Sequence, residues 1–156
     1  MDTTAGNGGE RAADMQTTQG HCLCGAVRVT VTGPLGDISA CHCEMCTRWS
    51  GSIQMGIETP QEQVEITGPV KSHRSSPIGE RAWCDTCGSA IWFRYPEGPD
   101  AGYFELAPGI FPNAGGAQLV RIVYADRHPD GYALAGDVER VSKAEYEARH
   151  PFVSEE

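Results

Sequence analysis

Three clusters of cysteine constrain this chain more than any other feature. Cys22 and Cys24 stand at C-x-C spacing, Cys41, Cys43 and Cys46 at C-x-C and C-x-x-C sharing Cys43, and Cys84 and Cys87 at C-x-x-C. Such spacings let two thiolates reach one ion from a single turn, which is the geometry zinc asks for. Seven cysteines cannot all pair as disulfides, because the number is odd. The first twenty residues are mostly Thr, Gly, Asp and Ala with no apolar run, so nothing there reads as a secretory signal. The expectation is therefore a reducing compartment, the cytoplasm, where such spacings mean metal rather than cystine.

The count of ligands divides them into one closed four-sulfur site and one three-sulfur site. Cys41, Cys43 and Cys46 lie in one local loop and can face one ion together. The two remaining pairs then combine as Cys22, Cys24, Cys84 and Cys87, tying distant parts of the chain. The competing grouping sets Cys43 and Cys46 with Cys22 and Cys24. It strands Cys84 and Cys87 as half a site and leaves Cys41 idle. A zinc ion with three protein ligands keeps a fourth position for water or substrate, the mark of a catalytic site. His42 could be a further ligand, but neighbouring residues rarely point the same way, so it reads as pocket wall. His21 reads as a surface residue, since four sulfurs already close that site.

Length and charge narrow the class. The chain has 156 residues, enough for a single domain with a real core. Residues 1–18 read as a small, polar, disordered tail, and 19–156 as one zinc-binding domain. Met15 could be an alternative start. With 12 Lys and Arg against 21 Asp and Glu, the formal net charge is −9. That acidity argues against nucleic acid or an anionic membrane as partner, and no apolar stretch approaches membrane-spanning length. The favoured partner is a small molecule.

Glycine is abundant at 19 residues, and short apolar runs separate the glycines, which predicts strands and tight turns. Val27, Val29 and Val31 alternate with polar residues as a half-buried strand. Further strands are expected at 38–41, 52–58, 63–67, 70–75, 90–95, 103–107 and 119–125. Ser142 and Glu145 form a capping-box pattern, predicting a short helix over 143–149 that Pro151 stops. The expected fold is mostly β, in antiparallel sheets, with one short C-terminal helix. Trp49 reads as core rather than pocket wall, and Arg48 either as a receiver for a substrate carboxylate or as a solvated surface residue, with Arg74, Arg81 and Arg94 available from facing strands.

Gly20–Gly25 as G-x-C-x-C-G, Cys41–Cys46 as C-H-C-x-x-C and Arg81–Ser89 as R-x-x-C-x-x-C-G-S occur in this order. Together they resemble the glutathione-dependent formaldehyde-activating enzyme family, which includes centromere protein V. The resemblance runs from about Gly20 to about Asp126. It implies a zinc-pinned fold similar to Mss4, with structural zinc on Cys22, Cys24, Cys84 and Cys87. It implies catalytic zinc on Cys41, Cys43 and Cys46. It also implies an S-(hydroxymethyl)glutathione synthase-like activity, a carbon–sulfur lyase joining a thiol such as glutathione to formaldehyde and reversing that step. Three thiolates on Zn²⁺ sum to −1, so activating a thiol suits the site better than polarising a carbonyl, and His42 is a candidate proton shuttle. Rival readings are the same chemistry on another thiol or small electrophile, or a zinc-pinned binding module without turnover.

Overall fold

The computed structural model describes residues 16–153. Most of the expected tail lies outside them, but strand β1 already opens at Thr17. The chain is mostly β, built as two sheets with two short helices.

The smaller sheet has three antiparallel strands, β1 (Thr17–His21), β2 (Arg28–Thr32) and β5 (Val64–Thr67), with β2 central. The valine alternation acts as expected. Val27, Val29 and Val31 are fully buried, while Arg28 faces solvent. The larger sheet has eight strands. From one edge they are β11 (Glu139–Val141), β10 (Leu119–Val123), β3 (Ile38–Cys41) and β4 (Gln54–Pro60). They continue as β9 (Tyr103–Leu106), β8 (Ala90–Arg94), β7 (Glu80–Cys84) and β6 (Val70–Arg74).

Two pairings depart from the antiparallel expectation, since β10 runs parallel to both β3 and β11. A parallel pair needs a long crossover rather than a turn. The chain between β3 and β10 supplies it.

The inward faces of the two sheets meet in one core. Val29 and Val31 from the small sheet pack with Ile38, Ile57, Ile91 and Leu106 from the large one. Burying such side chains contributes about 1.5–3 kcal/mol each, and this apolar layer fixes the sheets face to face. The outward face of the large sheet is left to build the cavity described below.

Helix α1 (Glu44–Ser50) was not expected, because its segment reads as a loop. Cys43 is its N-cap, with its sulfur accepting from the Cys46 amide, and Gly51 closes it in the left-handed region. Helix α2 (Lys143–Arg149) matches its predicted span, with both halves of the capping box formed at Ser142 and Glu145. Trp49 is not core. It is 41% exposed, stacked on His73 with ring centroids 6.3 Å apart and tilted against Trp83. It sits late on the seven-residue helix and covers the rings of His73 and Trp83, with the Arg81 guanidinium over its own ring, rather than filling the interior.

Candidate metal centres

The sulfurs of Cys22, Cys24, Cys84 and Cys87 all lie within 4.8 Å of one another, and so do those of Cys41, Cys43 and Cys46. This is the first of the two groupings that the spacings allow. All seven thiols are free of disulfides.

The four-sulfur cluster joins two turns from different sheets. The turn between β1 and β2 brings Cys22 and Cys24, and the end of β7 with the turn after it brings Cys84 and Cys87. Gly25 and Gly88 follow the second cysteine of each pair at φ 80° and 79°, the left-handed conformation that only glycine adopts without strain. Cys22 Sγ lies 3.6 Å from Cys24 Sγ, and Cys24 Sγ lies 3.9 Å from Cys84 Sγ. Four sulfurs about 2.3 Å from one tetrahedral ion stand about 3.8 Å apart, so the cluster fits such an ion. The Val27 amide donates to Cys22 Sγ at 3.2 Å, and Ser89 Oγ lies 3.1 Å from Cys87 Sγ. Ser89 Oγ also accepts from the Leu23 amide, stitching the two turns together. Hydrogen bonding with Ser89 helps hold the Cys87 thiol down to about 5.

The three-sulfur cluster is assembled differently. Cys41 ends β3, Cys43 caps α1, and Cys46 sits one helical turn later. The amides of Cys43 and Cys46 donate to Cys41 Sγ and Cys43 Sγ at 3.4 and 3.3 Å. Hydrogen bonds from Cys41 and Cys46, helped by the Arg81 charge, hold the Cys43 thiol down to about 3. Arg81 is the residue whose role the spacings do not reveal. It is 3% exposed and donates from Nη2 to Cys46 Sγ at 3.4 Å. Its remaining donors go to Gln54 Oε1 and Ser75 Oγ, and its plane lies over Phe93 at 4.8 Å. A buried guanidinium is costly unless so paired, and here the partner is a sulfur that a metal would hold as thiolate.

Cys41, Cys43 and Cys46 open onto a cavity of about 410 Å³. Strand register explains its wall. Arg121 stands opposite Ser39, Ser39 opposite Gly56, Glu58 opposite Glu105, Glu105 opposite Phe93, and Phe93 opposite Arg81. Residues one step along, Ile57 and Leu106, are buried in the core on the other face. The C-terminal segment closes the top. Tyr146 of α2 lines the cavity, and its hydroxyl lies 3.5 Å from that of Tyr95 in a shared hydrogen bond.

Other candidates are elsewhere. Arg48 does not line the cavity but pairs with Glu44 on the exposed side of α1, at 2.7 Å. Arg74 pairs with Glu97 at the surface. His42 is 4% exposed, yet it faces away from the cavity, its ring 6.2 Å from that of His128 and 6.1 Å from that of Tyr132. Burial, then the nearby His128, lowers its pKa and keeps the ring neutral. Among the described residues no fourth ligating side chain joins the three-sulfur cluster.

Glu105 is the titratable oddity of the cavity. Burial, reinforced by Glu58, pushes its carboxyl from 4.5 up to about 8, against the pull of Arg121 and with a small push from Asp100. Between those values the folded chain holds a proton that the unfolded chain has released, so stability falls as pH rises through that window. Glu105→Gln should remove this slope. Thermal melts should find the variant level with the parent near pH 5 and melting higher near pH 8. A parallel pH dependence in both proteins would contradict the burial of this carboxyl.

Comparison with known proteins agrees with the motifs. The model of the glutathione-dependent formaldehyde-activating enzyme family matches residues 17–125. An uncharacterized lyase of Schizosaccharomyces pombe is 30% identical over 122 residues, covering 78% of this chain and 88% of that protein. A Halomonas elongata protein, provisionally named a glutathione-dependent formaldehyde-activating enzyme, is 30% identical over 93 residues, 53% of this chain and 59% of its own. A crystal structure of a Rhodobacter sphaeroides protein aligns with a TM-score of 0.49 at 18% identity, over 79% of this chain and 99% of that one. The matched residues contain all seven cysteines and Arg81 but stop short of α2. On the strength of that match the chain belongs to the glutathione-dependent formaldehyde-activating enzyme family.

Proposed function

We propose that this protein is a zinc-dependent carbon–sulfur lyase that adds glutathione to formaldehyde, giving S-(hydroxymethyl)glutathione, and catalyses the reverse. One zinc on Cys22, Cys24, Cys84 and Cys87 is structural, and one on Cys41, Cys43 and Cys46 is catalytic. The observation that carries this reading is the contrast between the clusters: four sulfurs close one, whereas three sulfurs open onto a 410 Å³ cavity. That volume lies within the range of small-molecule sites.

When bound, the second zinc lowers the pKa of a thiol reaching its open position and so keeps it ionised near neutral pH. The chain's own residues do the rest. Arg81 at Cys46 brings the total charge of three thiolates and a divalent ion to zero, which keeps the buried centre electrically balanced. The thiol sulfur forms a bond to the aldehyde carbon, and the carbonyl electron pair moves to oxygen. That oxygen takes up one proton, equal to the one the thiol released. Tyr95 and Tyr146 share one hydrogen bond, so one of their two hydroxyl protons is free to donate to the developing oxyanion. His42 does not line the cavity, so this reading gives the proton to the tyrosine pair.

Zinc-loaded protein should accelerate the glutathione-dependent loss of free formaldehyde above the spontaneous rate, followed with an aldehyde trap. No acceleration with fully loaded protein would overturn the reading.

A further inference from the structure

We propose that the cavity recognises its thiol substrate by a protonated amine, held by Glu105 and Glu58, and not by a carboxylate. This rests on the reading of Cys41, Cys43 and Cys46 as the thiol-activating centre and adds the class of thiol. The substrate is an amine-bearing thiol, a class that includes glutathione through its α-ammonium group.

The argument is a balance of charge inside one cavity. Each arginine lining it is already engaged. Arg81 donates to Cys46 Sγ, Arg94 pairs with Glu80 at 2.7 Å, and Arg121 pairs with Glu139 at 3.1 Å. Asp100, also in the wall, faces His150 at 3.2 Å. The side chains of Glu58 and Glu105 make no ion pair or hydrogen bond among the described residues, and the two stand directly opposite each other on β4 and β9. A carboxylate entering this space would find no uncommitted cation and two acidic groups. An ammonium would find two acids that no side chain has paired, with only the pull of Arg121 on Glu105 to compete against.

Gly56 makes this arrangement possible. A Cβ at that position would come within 2.6 Å of Glu105 Oε2 and 2.7 Å of Glu105 Cβ. The missing side chain is the space in which the Glu105 side chain lies against β4, on the sheet face that bears Cys41. The unfavourable burial of the Glu105 carboxyl has a use here, since an arriving cation restores the ionised form and binds it.

The test uses cobalt-substituted protein, in which thiol entry raises the sulfur-to-metal charge-transfer absorption. The probes are cysteamine, which carries an ammonium, and 2-mercaptoethanol, of the same length with a neutral hydroxyl. Their thiols differ in intrinsic acidity, so the reading is the change in each affinity between parent and variant. In the Glu58→Gln, Glu105→Gln double variant the cysteamine Kd should rise about tenfold, the effect of two partly screened ion pairs. That of 2-mercaptoethanol should change by less than about twofold. Glu58→Gln alone, at an exposed rim position, should weaken cysteamine about threefold and is available if the double variant folds poorly. Equal effects on the two probes, or no effect on either, overturn the amine reading while leaving thiol activation standing. Absence of any spectral change with either thiol in the parent protein overturns both.

Discussion

Cys84→Ser should give insoluble or unfolded protein, whereas Cys41→Ser should fold, retain about one zinc and lose activity. The difference follows from what each cluster joins. Cys24 and Cys84 are 60 residues apart, and their cluster links a turn of the three-stranded sheet to a turn of the eight-stranded one. A metal that closes so long a loop contributes its binding energy to folding, about 10–16 kcal/mol for structural zinc. That is comparable to the whole stability of a typical domain, about 5–15 kcal/mol. Cys41, Cys43 and Cys46 span a single β3–α1 junction that the sheet and the helix caps already hold. Two remaining sulfurs cannot keep an ion in reactive geometry, so turnover should drop at least about a hundredfold while the melt shifts little. Thermal melts and metal content on the two variants check this. If Cys41→Ser unfolds as badly as Cys84→Ser, both clusters are structural and the binding-module reading prevails.

Arg81→Ala should lower kcat/KM by about a hundredfold and cost about 2–3 kcal/mol of stability. The stability loss follows from removing charge-assisted hydrogen bonds and the guanidinium stacked on the Phe93 ring. The catalytic loss follows from leaving Cys46 without its cation, which returns the zinc centre to a net negative charge and weakens its hold on a further anionic thiolate. Arg81→Lys should recover the stability better than the activity, because an ammonium cannot reach Cys46, Gln54 and Ser75 with one planar fork. Steady-state kinetics with urea unfolding on both variants separates the effects. Activity within about twofold of the parent in Arg81→Ala would remove Arg81 from the centre.

The cysteine grouping was legible because the three-sulfur cluster is local in sequence and the ligand count then leaves the two distant pairs to each other. The strand signals at Ile38–Cys41 and in the valine alternation were legible because they too are local, and so was the capping box before α2. Helix α1 was not, since its N-cap is Cys43 rather than the usual Ser, Thr, Asp or Asn, although Gly51 after it and Glu44 four residues before Arg48 were both visible signals. The strand β1 was missed because Thr17–His21 contains no apolar residue, and only pairing with β2 makes it a strand.

The cavity wall was hidden for a deeper reason. Whether Arg81 or Arg48 faces the sulfurs depends on how strand β7 packs against the β3–α1 junction, 35 residues away at Cys46, which no local pattern encodes. Arg81 was visible as part of a motif, but its contact with Cys46 was not. The parallel placement of β10 between β3 and β11 brings the C-terminal helix over the cavity, and it explains why Tyr146 could not be read as part of the site.

The most direct test is X-ray absorption at the zinc edge on fully loaded protein, before and after addition of glutathione. Two zinc ions per chain are expected, averaging about 3.5 sulfurs each from seven cysteines, with a nitrogen or oxygen neighbour at the second ion. Glutathione should raise the average to about four. An average of four before any thiol is added, or no change on adding it, would contradict a closed structural centre beside an open, thiol-binding one.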